Sequence, residues 1–245
     1  IQAYKFGSTA PTAGQAAMQL RVTAITAPAN DLCTGAPALA LNQPMSGTTA
    51  GAANDYQVDA GCFSGVGNTT SLAPGREVVY GFTPSASGNY SFRARTSTDN
   101  VTLYLSNTCS TGTAPVQVAT CRAAVDRNFS ASEELSCVAL TGGANVLAYV
   151  DARTLATVSA FELEVNACTP EVEPNESTAT AGPRSCPVTG GIVPAGDVDF
   201  YSLGTPATGS RVFAMADGHA GSSTDFDMRV TTATDTLEYD DESAD

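Results

Sequence analysis

Phe161-Glu162-Leu163-Glu164-Val165-Asn166 alternates without a break. In an extended chain its three apolar side chains fall on one face, and two acids and an amide fall on the other. That is a strand with one face packed and one face in water. The same period of two recurs along the chain. Val78, Tyr80 and Phe82 alternate with Val79 and Gly81, Tyr90 and Phe92 with Ser91 and Arg93, and Val101, Leu103 and Leu105 with Thr102 and Tyr104. Short alternating runs broken by Gly, Pro, Asn and Ser predict an all-β chain of antiparallel sandwich modules with almost no helix. Residues 85–89 and 141–145, rich in Ser, Gly and Asn, read as hairpin turns. Gln15-Ala16-Ala17-Met18 could open a helical turn, but the residues that follow belong to a strand pattern.

The chain also repeats itself. Ala17-Met18-Gln19-Leu20-Arg21-Val22 stands 143 positions before Ala160-Phe161-Glu162-Leu163-Glu164-Val165. Pro74-Gly75-Arg76-Glu77-Val78-Val79-Tyr80 is echoed by Ala195-Gly196-Asp197-Val198-Asp199-Phe200-Tyr201, and Val101-Thr102-Leu103 by Phe226-Asp227-Met228. The repeat divides the chain into the closing strands of one sandwich (1–27), a complete sandwich (28–168) and the opening part of a third (169–245). The middle unit has 24 more residues than the third between its opening Asn and its first Gly-led strand, 30–75 against 175–196. The expectation is an excerpt of a longer tandem array. Its incomplete ends would be completed by the continuing chain or, alternatively, by strands 1–24 of one copy entering the third unit of the next, head to tail.

Asp and Glu number 25 against 11 Lys and Arg, giving a formal charge of −14. Phosphate backbones and anionic lipid surfaces are repelled by that sign, so no nucleic acid is expected as a partner. No stretch reaches the roughly 20 apolar residues of a membrane helix. The seven cysteines include no Cys-x-x-Cys pair, and the single His219 has no cysteine near it, which disfavours zinc. Disulfides in an oxidising compartment are expected instead. Spacing suggests Cys33–Cys62 around the insertion, Cys109–Cys121 around a Ser/Thr/Gly-rich segment and Cys168–Cys186 across a module junction, with Cys137 left over.

Calcium is the one chemistry that the residues favour. Hard cations take several oxygens from carboxylates, amides and carbonyls. Glu171, Glu173, Asn175 and Glu176 share one linker, and Asp197 and Asp199 open a strand on alternate positions of one face. No catalytic constellation is visible: His219 lies in a Gly/Ser-rich loop with no Gly-x-Ser-x-Gly elbow in the chain. The absence of tryptophan removes the usual sugar-stacking platform, and Tyr56, Tyr80, Tyr90, Tyr104 and Tyr149 fall mostly at strand positions suited to packing.

Glu-Pro-Asn-Glu-Ser at 173–177, Gly-Asp-Val-Asp-Phe-Tyr at 196–201 and Leu-Glu-Tyr-Asp-Asp at 237–241 resemble the bacterial pre-peptidase C-terminal domain. Asn30-Asp31-Leu32-Cys33, Val79-Tyr80-Gly81-Phe82-Thr83-Pro84 and Leu103-Tyr104-Leu105 resemble its cysteine-containing version. The resemblance implies jelly-roll-like sandwiches appended to secreted bacterial proteases and other exported proteins. It implies a role in binding, secretion or maturation rather than catalysis. It also implies calcium where the acidic linker meets the Asp pair. In the middle unit Arg76, Glu77 and Val78 replace that pair, and no calcium is expected there.

These observations together lead us to expect a non-catalytic structural or adhesive repeat of an extracellular bacterial surface protein or filament. Its partners would be neighbouring repeats and an extracellular protein or polysaccharide. The alternative is an accessory domain, for substrate binding, export or maturation, of a secreted protease or other hydrolase.

Overall fold

The computed structural model describes residues 26–63, 73–97, 99–127, 132–154, 157–183, 188–192, 194, 196–212, 216 and 227–240. Residues 1–25, Cys186 and His219 lie outside the described residues. In chain order the strands of the main body are β1 (Met45–Gly47), β2 (Tyr56–Gln57), β3 (Glu77–Phe82), β4 (Gly88–Arg95), β5 (Val101–Ser106), β6 (Val116–Gln117), β7 (Cys121–Val125), β8 (Glu133–Leu140), β9 (Val146–Ala152) and β10 (Phe161–Pro170). Two single 3₁₀ turns, Cys33–Gly35 and Ala60–Cys62, are the helical segments among the described residues. The chain is therefore all-β, as its periodicity requires.

Two antiparallel sheets face each other. One runs in the order β1-β10-β4-β8 and the other in the order β3-β9-β5-β7. Val78, Tyr80 and Phe82 of β3 meet Phe92 of β4 and Leu163 and Val165 of β10 in the core between them. Phe82 stands edge-on to Phe92 at 5.7 Å, and Tyr80 edge-on to Phe161 at 6.1 Å. The segments 85–89 and 141–145 are not hairpins. β3 pairs with β9 and β4 with β8 and β10, so each of these turns carries the chain from one sheet across to the other. Alternation predicts a strand's faces but not which strand lies beside it.

The outer faces of the two sheets differ. On the β10 sheet the outer side chains are charged, and Arg93–Glu134 (3.6 Å) and Arg95–Glu164 (3.5 Å) pair across strands. On the other sheet β3, β5 and β9 are buried along their whole length, so both faces are covered. The cover is formed by the chain around Cys33 and from Tyr56 to Phe63, together with the chain following β5 from Cys109 to Val118. Val58, Val79, Tyr104, Val118, Leu147 and Tyr149 form a second core beneath it. The cover also seals the sheet edges. At the β3 edge Val79 N–H donates to the Asn30 carbonyl (2.9 Å), Gly81 N–H to Pro37 (2.9 Å) and Leu39 N–H to Gly81 (2.7 Å). At the β7 edge Phe63 bridges Ala124. Unpaired edges invite edge-to-edge association; these bonds close the β3 edge and the bridge at Ala124 covers part of the β7 edge.

This path explains why the expected disulfides do not form. The turn at Cys33–Gly35 packs on β3 and the turn at Ala60–Cys62 on β7, at opposite edges of a four-stranded sheet. Those edges lie about 14 Å apart, beyond the ~7 Å Cα reach of a disulfide. Cys33 bonds instead to Cys109 (Cα–Cα 5.6 Å), and Cys62 to Cys121 (Cα–Cα 5.9 Å). Cys168 bonds to Cys137 rather than to Cys186 (Cα–Cα 5.3 Å). Cys137 sits where β8 bulges against β4, with left-handed backbone at φ 50°. The bulge takes it out of the ladder toward Cys168, one strand beyond β4.

Beyond Pro170 the strands are short: β11 (Gly182–Pro183), β12 (Val188–Thr189), β13 (Tyr201–Ser202), β14 (Met228–Thr231) and β15 (Thr236–Asp240). β12 extends the end of β10 in parallel, β11 pairs with β13, and β14 with β15. Val172, Ile192, Val198, Tyr201, Val212 and Leu237 are exposed here.

Candidate functional site

The acidic linker leaves the sandwich at the end of β10 and is held by backbone bonds on both sides. Glu171 N–H donates to the Thr189 carbonyl (2.9 Å), and Phe200 N–H to the Asn175 carbonyl (2.9 Å). The second bond brings the chain around Asp199 against the linker. As a result Glu171, Glu173 and Asp199 each place a carboxylate oxygen within 4.8 Å of the others. Glu171 is fixed by the Tyr201 hydroxyl, which donates to Oε2 (2.9 Å), and by Gly191 N–H, which donates to Oε1 (2.5 Å). Gly190 is needed for this approach, because a Cβ there would sit on the Glu171 carboxylate. Glu173 Oε2 accepts from the Asn175 N–H (3.0 Å).

Asn175 is fully buried among these acids. One atom of its side-chain amide lies 3.1 Å from Glu173 Oε2 and 3.2 Å from Asp199 Oδ1. With its nitrogen inward it donates to both carboxylates. With its oxygen inward it becomes a fourth oxygen in the set, and only a cation can then hold the four together. Asp197 turns its Oδ1 to the Val198 N–H (3.0 Å), and Glu176 is exposed. Of the six residues that the sequence suggested, four therefore converge, and Asp197 and Glu176 stand outside them.

The electrostatics reflect crowded like charges. Partial desolvation, then the charge of Glu171, pushes the Asp199 carboxyl up to about 6. Glu173 is also raised, by desolvation and by Asp197, Glu171 and Glu176, against the pull of the Asn175 N–H. Tyr201 is raised by desolvation and by its bond to Glu171. A divalent cation would relieve all three.

Sequence reading missed a second polar feature, under the cover of the middle unit. Glu77, Asp151 and Thr102 are fully buried and stand opposite one another across β3, β9 and β5. They lie on the covered face, next to the stacked rings of Tyr104 and Tyr149 (4.7 Å). Glu77 Oε1 accepts from Asp55 N–H (2.7 Å) and Tyr56 N–H (3.0 Å), which ties the cover to the sheet. Asp151 Oδ2 accepts from the Tyr104 hydroxyl (3.1 Å). Burial pushes the Glu77 carboxyl up to about 8 and Asp151 well above the carboxylate range. The available signal was the near-continuous apolar run of β9, which marks a strand buried on both faces and so makes Asp151 a buried acid.

No family model matches the chain, and no curated protein matches it. Among solved structures, the chain is similar to the pre-peptidase C-terminal domain of a collagenase from Bacillus anthracis. The match has 15% identity and a TM-score of 0.34, and it covers 53% of this chain and 93% of that one. No helix among the described residues is long and apolar enough to cross a membrane.

Proposed function

We propose that this chain is a non-catalytic accessory part of an exported protein, of the kind appended to a secreted protease or other hydrolase, and that calcium fixes the join after its sandwich. The observation that carries the calcium reading is the buried Asn175 amide lodged between Glu173 and Asp199, with Glu171 completing the oxygen set. Four protein oxygens leave two to four positions for water in an ordinary calcium sphere. Export is supported by three disulfides, two of which clamp a cover made mostly of loops. Calcium is plentiful in extracellular fluids, and a weak site there stays filled. Bound at the foot of β10, the ion would stiffen the linker and fix the direction in which the next segment leaves.

Isothermal calorimetry of the whole chain tests this reading. Wild type is expected to bind calcium at the linker, and Glu173→Gln with Asp199→Asn to lose that binding. Undiminished binding with the same stoichiometry in the double variant would remove the assignment. A second reading, a structural or adhesive repeat of a surface protein or filament, is supported by the exposed Val172, Ile192, Val198, Val212 and Leu237, a surface suited to a neighbouring repeat.

A further inference from the structure

The buried row of the middle unit carries more oxygen than its own hydrogen bonds use. Glu77 Oε2, Asp151 Oδ1 and Thr102 Oγ1 are all buried and have no hydrogen-bond partner among the described residues. The other oxygen of each carboxylate is anchored, so the orientations of the two free oxygens are set. Residues directly opposite in an antiparallel sheet have Cβ atoms about 4.5–5.5 Å apart, on the same face. Glu77 faces Asp151, and Asp151 faces Thr102, so the three lie in one row across the covered face with Asp151 in the middle. Of the arginines next in sequence to these acids, Arg153 pairs with Asp126 (3.3 Å), and Arg76 is exposed. Buried carboxylates are ordinarily paired or bound to a metal.

We propose that Glu77 Oε2, Asp151 Oδ1 and Thr102 Oγ1 form a cation site, suited to calcium, beneath the disulfide-bonded cover of the middle unit. The donors are all hard oxygens, two of them from carboxyls whose protons a cation would displace on binding, which selects a hard cation over a soft one. The expectation of no calcium in this unit rested on the missing Asp pair at Arg76 and Val78. Glu77 points to the opposite face of the strand, so that comparison does not reach it. Because Glu77 also holds the backbone of Asp55 and Tyr56, an ion here would fasten the cover to the sheet.

The test uses the whole chain carrying Glu173→Gln and Asp199→Asn, which silences the linker set, so failure at one site is not failure at the other. Calcium at a hundred times its dissociation constant is expected to raise the melting midpoint of this protein over EDTA by roughly 5–10 °C. Adding Asp151→Asn should abolish that rise. The amide oxygen can still accept from Tyr104, and the amide replaces a carboxyl that burial already keeps protonated, so the midpoint in EDTA should not fall. Thr102→Val, nearly isosteric, should keep the fold and weaken calcium at least several-fold by calorimetry. No calcium-dependent rise in the linker-silenced protein overturns the proposal. So does an undiminished rise in Asp151→Asn together with unchanged affinity in Thr102→Val.

Discussion

Removing the Cys33–Cys109 bond should cost the middle unit much of its stability. Its closure spans 76 residues, which the chain-entropy model converts to about 4.5 kcal/mol of lost unfolded-state restriction. That figure is an upper bound. The Cys62–Cys121 closure, of 59 residues, overlaps it and continues to restrain the unfolded chain. A second contribution is local. The Tyr56 hydroxyl donates to Cys33 Sγ (3.0 Å) and accepts the Cys33 N–H (3.1 Å) in the second core. Alanine leaves that hydroxyl without its acceptor, at about 1 kcal/mol. The expected loss for Cys33→Ala with Cys109→Ala is therefore roughly 2–4 kcal/mol, read from guanidinium unfolding under non-reducing conditions with unchanged slope. The same change at Cys137 and Cys168, whose closure is 31 residues, should cost about 0.8 kcal/mol less in the entropic part. A loss below about 1 kcal/mol, or a non-reduced digest yielding a Cys33–Cys62 peptide, would refute the reasoning.

Glu133 is buried at the start of β8, and desolvation raises its carboxyl to about 8 against the Arg127 N–H that it accepts (2.6 Å). The folded state thus binds this proton more tightly than the unfolded state. The stability it contributes is complete below about pH 4.5 and is lost as pH rises through about 8. Melting in EDTA should be higher at pH 5 than at pH 8.5, and Glu133→Gln should flatten that slope; an equal slope in the variant counts against the assignment. Leu163→Ala, fully buried between the sheets, should destabilise by about 2–5 kcal/mol in the same unfolding assay. Gly190→Ala should weaken calcium at the linker by displacing the Glu171 carboxylate while leaving the melting of the sandwich unchanged; wild-type affinity would show that Glu171 is not a ligand.

β10 shows how much of the fold was legible. Its alternation gave the face of every residue from Phe161 to Asn166, because one side of its sheet meets water. β9 was harder. Val146-Leu147-Ala148-Tyr149-Val150 is apolar throughout, and what covers its outer face has no period of its own to read. Pairing was hidden for a related reason. Nearness in sequence suggested Cys33–Cys62, but the chain between them crosses a sheet from edge to edge. At the linker, residue types alone pointed to the acids. Only the bond from Phe200 N–H to the Asn175 carbonyl selects Asp199 over Asp197.

The cover and the disulfides form one argument. A sheet with both faces apolar needs a third layer, and here loops supply most of it. Loops bury backbone groups that need partners, and the edges of β3 and β7 provide them: Asn30 and Pro37 along one, Phe63 along the other. Each edge is then held by a disulfide close to its point of contact, Cys33–Cys109 by β3 and Cys62–Cys121 by β7. Between the two, Glu77 is the side chain that reaches from the sheet to the cover backbone at Asp55 and Tyr56. The state of the Glu77 carboxyl therefore acts on the span of the cover between its two covalent anchors. Reduction and loss of a cation should open the same segment. Amide hydrogen exchange at Asp55 and Tyr56 should rise on mild reduction and, separately, when calcium is exchanged for EDTA. Exchange that responds to reduction alone would leave the cover held by its disulfides, with no part played by an ion.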